Sequence, residues 1–331
     1  NLSHVRSKTG ADGAGQAITE LDALIKQGKL SKPNEIADAY LMIGGNHIML
    51  AEAAQDPAQK AAHYQSAAAA YDEGLKAAPE WPQAGACRDS WASCQTAHAR
   101  LLASGGKTEE SLALCDAVIA QSDKIPNKAF VNDAQLIRGI IQYQQKKSGE
   151  AEASLAAFIQ NAPFSEQSSA ELKADRTQAL ALLATLCADK SPPDFASAQS
   201  HLITLHAENP NSPEALRTAI YVAAKAAEAQ NWTVVADMLT PVAERLVQSN
   251  DLSLLTLVKA QLSLNRPEAV INQPQTLANI TNLLASIAQD PNKAGKEGFV
   301  VDAVWRVVRA LQAAGKTAEA DQLITAVFNA Y

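Results

Sequence analysis

The chain has 331 residues, of which 47% are apolar, 19% are charged and only 5% are aromatic, and its formal net charge is −7. This length allows two ordinary domains or one elongated domain with a substantial core. The net negative charge gives no indication of a basic surface for nucleic acid. The sequence contains no run of about 18 uninterrupted apolar residues, so it predicts no membrane span.

Residues 1–13 are predicted to form a flexible lead-in to the first helix. The glycine-rich stretch GADGAG at 10–15 has no predicted strand before it, so it reads as part of this lead-in and not as a nucleotide-binding loop. Beyond it, apolar residues recur at helical spacing, and Ala, Leu, Val and Ile dominate the apolar set. Alanine favours helix formation and lets helix axes approach closely. The sequence therefore predicts an all-α fold of closely packed helices.

One layout recurs along the chain and predicts a repeated pair of helices. A turn is followed by a small residue and then by large apolar residues four and seven positions later, as in GKTEESLALCDAVI from residue 106. The small positions are Ala17, Ala67, Ser111, Ala151, Ala198, Val235 and Ala320. The first six are separated by 37 to 50 residues, and each predicts the second helix of an antiparallel pair.

The register of one such pair follows from its turn. If Gly45 faces Ala67 across two antiparallel helices, the midpoint is residue 56. The sequence AQDPAQ at 54–59 supplies turn residues there.

The tripeptide Gly-Lys-Thr occurs at 106–108 and again at 315–317, which raises the question of a nucleotide site. A phosphate-binding loop needs a glycine six residues before the lysine and a strand before the loop, but an amphipathic helical run precedes each copy. We therefore predict two helix–helix turns. Gly106 and Gly315 end first helices, Thr108 and Thr317 open second helices, and both lysines face solvent.

Two stretches carry a resemblance to a known family. SAAAAYDEGLKAAP from residue 66 places Ala67, Tyr71, Gly74 and Pro79 at the spacing of the second helix of a tetratricopeptide repeat (TPR). LIRGIIQYQQKKSGEAEA at 136–153 places Gly139 and Tyr143 at the small and aromatic positions of a first helix. The chain thus resembles the TPR family over most of its length. The resemblance implies a right-handed α-solenoid of about seven antiparallel helix hairpins, a TPR-like superhelix.

The predicted organisation departs from the repeat once. TPR-like helical repeats are expected over 14–264 and a C-terminal TPR-like hairpin over 298–331. Between them, residues 265–297 are expected to form an irregular helical insert, because Pro267 and Pro274 precede a helix from about 275 to 289 and a Pro/Gly/Lys loop follows it.

The resemblance also implies where a partner would bind, since first helices line the concave face of a TPR array. Carried over residue by residue, the partner-binding set is Arg100, Ile140, Tyr143, Leu183, Lys190, Arg217, Ile220, Tyr221, Trp305 and Arg309. Aromatic residues mixed with arginine are typical of protein recognition. The alternative is that the aromatic members are packing residues between repeats.

Some family members hold a partner's C-terminal carboxylate with a repeated Lys, Asn and Arg set, and that set is missing here. A peptide segment or helix held by apolar and aromatic contacts is therefore the expected partner.

The sequence gives no catalytic or metal-binding motif. Cys87, Cys94, Cys115 and Cys187 form no Cys-x-x-Cys pair, and the six histidines show no zinc-ligand spacing, so neither a metal nor another cofactor is expected. Cys94 and Cys115 are nearly equidistant from the turn at residue 105, which leaves open a disulfide or two small buried side chains. No nucleophile elbow or suggestive carboxylate pair occurs.

These observations predict a non-catalytic protein–protein interaction scaffold that binds a partner peptide or helix on its concave face. Two alternatives stay open. One is a small-ligand-binding or enzymatic helical protein with a pocket inside the superhelix, and the other is a structural segment of a larger cell-envelope assembly. The abundance of Ala and Gln favours a bacterial protein of the periplasm or envelope, and no feature indicates the oligomeric state.

Overall fold

The structure is a computed structural model, and it describes residues 11–249, 251–290 and 293–331. All regular elements within these ranges are helical, so the fold is all-α, as predicted. The chain divides into two compact units, Asn1–Ser165 and Glu166–Tyr331, called unit 1 and unit 2. Most of the lead-in expected at 1–13 lies outside the described residues.

Unit 1 consists of consecutive helices joined by short connections. They are α1 (Ala11–Lys26), α2 (Pro33–Ala53), α3 (Pro57–Ala77), α4 (Ala84–Ser104), α5 (Thr108–Ala120), α6 (Lys128–Gln144) and α7 (Ser148–Asn161). Each helix packs against the next, and α4 also packs against α6. This pattern of neighbouring pairs is that of an α-solenoid.

Unit 2 continues the pattern with more interruptions. Its helices are α8 (Ala170–Ala188), α9 (Phe195–Glu208), α10 (Pro213–Glu228), α11 (Trp232–Leu239), α12 (Ala243–Gln248), α13 (Ser253–Ser263), α14 (Glu268–Ile271), α15 (Pro274–Ala288), α16 (Glu297–Ala313) and α17 (Thr317–Ala330). First helices pack on first helices, as in α8 with α10 and α13 with α16. Second helices also meet, as in α15 with α17.

Capping side chains begin several of the helices. The Asp56 carboxylate accepts a hydrogen bond from the Ala58 N–H at 3.1 Å and begins α3. The Ser212 hydroxyl accepts from the Ala215 N–H at 2.9 Å and begins α10, whose first residue is a proline. Such caps satisfy N–H groups that have no partner within the helix.

The predicted small positions all lie inside the packed pairs. Ala17, Ala67, Ser111, Ala151, Ala198, Val235 and Ala320 are all buried. Ser111 is the only polar member, and its hydroxyl donates to the Ala99 carbonyl of the preceding helix at 2.8 Å. The predicted repeat of helix pairs is therefore confirmed.

The glycine of α2 that packs against α3 lies one residue before the predicted one. Gly44, not Gly45, packs against α3, and a Cβ added to Gly44 would lie within 2.5 Å of Tyr71 Cζ. Gly45 has open space on its Cα. The turn lies where it was predicted, because α2 ends at Ala53 and α3 begins at Pro57.

The two Gly-Lys-Thr copies are helix–helix turns, as predicted. Thr108 and Thr317 are the first residues of α5 and α17, while Gly106 and Gly315 have φ of 77° and 75°. The expectation for the second lysine was wrong. Lys316 Nζ donates to the Ile271 carbonyl at 2.7 Å and to Asn272 Oδ1 at 3.2 Å, because α14 ends beside this turn.

The same turn backbone recurs in other pairs. At six turns of the described chain one residue has a φ between 56° and 77°, and these residues are Gly28, Gly106, Lys146, Gln230, Asn265 and Gly315. In each turn the next N–H donates to the carbonyl five residues earlier, at 2.8 to 3.0 Å. This is the Schellman ending of a helix, which fixes how the chain enters the next helix.

Residues 265–290 contain the short α14 and the regular α15, with Pro267 and Pro274 at their starts. Ile280, Leu283, Leu284 and Ile287 of α15 share a core cluster with residues of α13, α16 and α17. Within unit 2, α15 thus packs as the second helix that precedes α17.

Candidate partner-binding surface

Three predicted site residues belong to neighbouring first helices of unit 1. Arg100 on α4 has its Nη2 3.6 Å from Asp133 Oδ1 on α6, so an ion pair joins the two helices. Ile140 and Tyr143 lie on α6 and are half-buried. The structure therefore groups these residues on the packed pair α4 and α6.

The two predicted residues at the end of α8 have different environments. Leu183 is only 1% exposed and packs in the core, so its side chain has no surface to offer a partner. Lys190 lies after the end of α8, with its Nζ 3.8 Å from Asp194 Oδ2. Lys190 is accessible, whereas Leu183 stabilises the unit.

The predicted residues on α10 include a tyrosine that forms a side-chain hydrogen bond. Tyr221 is 36% exposed, and its hydroxyl donates to Asp189 Oδ1 at 2.5 Å. Lys225 Nζ lies 5.6 Å from the centre of the Tyr221 ring, a cation–π contact, and 3.5 Å from the same Asp189 oxygen. Arg217 is exposed and pairs with Glu214, and Ile220 is half-buried.

Trp305 and Arg309 lie one turn apart on the same exposed face of α16. The Trp305 side chain is 38% exposed, although indoles are usually buried to a large extent. No acidic side chain in residues 11–249, 251–290 and 293–331 pairs with Arg309. Both side chains are therefore available to a partner.

A groove of 470 Å³ adjoins this face. Its walls come from the end of α13, from α14 and from α16, and they include Leu262, Pro267, Ile271, Arg306 and Arg309. Among the described residues that line the groove, Glu268 is the only acidic one. The groove thus combines apolar walls with two guanidinium groups.

The network of ion pairs that supports this face was not identified from the sequence. Lys259 Nζ on α13 lies 2.8 Å from Asp302 Oδ2 on α16, and Arg306 pairs with the same carboxylate at 3.2 Å. The hydrogen bond from Lys259 is the main cause of a lowered pKa for Asp302. Lys259 also lies 5.7 Å from the Trp232 ring. Only the spacing of Asp302 and Arg306, four residues apart on one helix, was a usable sequence signal.

The titratable groups with shifted pKa values are dispersed. Burial raises the pKa of Cys94 and of Cys115 to about 12, and both are free thiols. Burial is also the main cause of the lowered pKa values of His98 and His206. Within the part of the chain that the structure describes, no three His, Cys, Asp or Glu side chains are grouped to hold a metal ion. Among the same residues, no helix combines the length and apolarity of a bilayer-crossing segment.

Comparisons with known proteins find likenesses among solved structures. No protein-family model matches the chain, and no curated protein matches it. Among solved structures, the TPR domain of P58(IPK) is similar at 13% identity, with 95% of this chain and 88% of that chain covered and a TM-score of 0.29. A circular tandem repeat protein with novel repeat topology is similar at 11% identity, with 97% and 83% covered and a TM-score of 0.29.

The class of this protein follows from its own helix pairs. Small residues in the second helices, paired first and second helices and recurrent Schellman turns make it an all-α, TPR-like helical-repeat protein.

Proposed function

We propose that the chain is a non-catalytic scaffold that binds a partner peptide or helix on the first-helix face of unit 2. The single observation that carries this proposal is the exposed pair Trp305 and Arg309 beside the groove between α13, α14 and α16. Tryptophan and arginine are the residues that most often dominate binding energy at protein interfaces. TPR-like arrays typically act through such surfaces and not through catalysis.

The electrostatics of the groove favour a particular partner. Arg306 is already paired with Asp302, while Arg309 is free to bind an acceptor from outside. The apolar walls favour an aliphatic or aromatic anchor next to that acceptor. The proposed partner is therefore a segment with an apolar side chain flanked by an acidic or carbonyl group.

Affinity capture from a lysate of the source organism tests the proposal. The wild-type chain is compared with a Trp305→Ala, Arg309→Ala variant and with Ile203→Ala, which removes a 60% exposed apolar side chain from the second helix α9. A protein that is retained by wild type and by Ile203→Ala but lost by the double variant supports this surface. Loss of two hot-spot residues weakens binding by about 30-fold or more.

Equal capture by all three chains would place the partner elsewhere. A Tyr143→Ala variant then tests the α4 and α6 surface of unit 1, where Arg100, Ile140 and Tyr143 lie.

A small-ligand function has one observation in its favour. A cavity of 320 Å³ lies between α12, α13 and α15, and Gln261, whose Oε1 is buried without a hydrogen-bond partner, is among its lining residues. Leu257→Trp would fill this cavity while leaving Trp305 and Arg309 in place. Partner capture that survives Leu257→Trp separates the scaffold from a ligand-binding function.

A further inference from the structure

A pair of histidines joins α2 to α3 in unit 1, whereas the surface proposed for the partner belongs to unit 2. His47 Nδ1 and His63 Nδ1 lie 3.4 Å apart, and the ring centroids are separated by 5.6 Å. The two ring planes are inclined by 34°. The two nitrogens therefore face each other across the helix pair.

The separation of the two nitrogens matches that of two ligands of one metal ion. A zinc ion binds imidazole nitrogen at 2.0–2.1 Å, and tetrahedral geometry then places two ligand nitrogens about 3.4 Å apart. Without a metal, a hydrogen bond between the rings requires that one Nδ1 carries the proton and donates it to the other. At 3.4 Å that bond is longer than the usual range for N–H donors, so an entering ion displaces a weak interaction.

The surroundings of the pair favour the neutral form of the His47 ring, which is the form that binds a metal. Burial lowers the pKa of His47 first, the neighbouring His63 lowers it further, and Asp22 on α1 opposes the shift. Both side chains are half-buried, so one edge of the pair reaches solvent. No third His, Cys, Asp or Glu completes the site among the described residues, which leaves the other coordination positions to water.

We propose that His47 and His63 form a two-histidine clip for a borderline divalent transition-metal ion of the zinc class, which links α2 to α3. Imidazole suits Zn²⁺, Ni²⁺ and Cu²⁺, whereas Mg²⁺ requires oxygen ligands. The chain's net charge of −7 favours the approach of a cation. Bound metal would hold the helix pair closed and add to the stability of the folded state.

Isothermal titration of the full chain with ZnCl₂ at pH 7.5 tests the clip. Wild type is compared with His47→Gln, His63→Gln and His206→Gln, and the last variant removes a half-buried histidine from unit 2 while leaving the pair intact. We expect one Zn²⁺ per chain in wild type and in His206→Gln, with binding at least tenfold weaker in both pair variants. Mg²⁺ should give no binding heat.

Thermal unfolding with and without Zn²⁺ provides an independent readout. The midpoint should rise with Zn²⁺ concentration in wild type and in His206→Gln, and the rise should shrink in both pair variants. Circular dichroism in the absence of metal confirms that each variant is folded. The proposal is overturned if wild type and the two pair variants bind Zn²⁺ equally, or if wild type does not bind it.

Discussion

Arg176 on α8 and Glu208 at the end of α9 form a two-point ion pair inside unit 2. Arg176 Nε donates to Glu208 Oε2 at 2.9 Å, and Arg176 Nη2 donates to Oε1. The two side chains are only 5% and 11% exposed. Next to them, Asn209 Nδ2 donates to Thr177 Oγ1 at 3.3 Å, so polar groups join the start of one helix to the end of its partner.

Glu208→Gln should destabilise the fold because it removes the carboxylate that forms the two-point pair with the buried Arg176 guanidinium. Breaking one side of a buried pair costs about 3–5 kcal/mol in the free energy of unfolding. The Arg176→Met, Glu208→Leu double variant should recover most of this loss, since neither charge is then buried. Urea unfolding followed by circular dichroism measures all three chains. Arg217→Met, at a 71% exposed arginine, is the control and should change little.

Gly44 and Gly45 should respond in opposite directions to the same substitution. Gly44→Ala places a methyl group against the Tyr71 ring and should cost about 1–3 kcal/mol by overpacking. Gly45→Ala has open space within the same helix and should stabilise it by about 0.5–1 kcal/mol. Thermal midpoints of the two variants give the sign directly. Destabilisation by Gly45→Ala instead of Gly44→Ala would favour the register expected from the sequence.

The left-handed turn residues predict a second pair of opposite effects. Gly106→Ala should cost about 1 kcal/mol, because its φ of 77° disfavours any side chain although no atom lies near the new Cβ. Gln230→Gly should stabilise by a similar amount, about 1 kcal/mol, since Gln230 already has a φ of 56°. Gly149→Ala, within α7 and with open space, serves as the helical control and should not destabilise. Urea midpoints test the three changes.

Stability should fall as the pH is lowered from about 7.5 to 5.5. The pKa values of His98 and His206 are lowered in the folded chain, chiefly by burial, so the unfolded chain takes up protons first. The stabilising effect is complete above the unfolded pKa and is lost as the pH falls through the folded pKa. Lys107 adds to the shift of His98 while Glu110 opposes it, and Arg245 adds to that of His206. His206→Gln should flatten this pH dependence, and an unchanged slope would contradict the assignment.

The repeat could be predicted because its signal is local. A small residue followed by large ones four and seven positions later needs only one helix face, and the small positions from Ala17 to Ala320 are all buried. The exact helix register was harder to predict from the sequence. Gly44 and Gly45 are adjacent, and residue spacing alone does not show which of them contacts α3. Lys316 was misjudged because its acceptors belong to α14, more than forty residues earlier.

The candidate site could be predicted only in part, because it depends on contacts between residues that are distant in the sequence. Family positions place Leu183 on the binding face, but the packing of α8 buries it. Arg176 and Glu208 are 32 residues apart, and no periodicity links them. The histidine pair did leave a signal, because residue 55 lies midway between His47 and His63 and is also the centre of the turn between α2 and α3.

The bonds from Lys316 to the end of α14 have a consequence for how unit 2 opens. The ammonium group joins the Ile271 carbonyl to the turn between α16 and α17, and Val270 and Ile271 of α14 share one core cluster with α15, α16 and α17. Residues from α14 onward should therefore lose their amide-exchange protection as one cooperative block. A charge-removing modification such as acetylation of Lys316 would remove the ammonium group from this link and leave the shared apolar core as the main contact between α14 and the terminal hairpin.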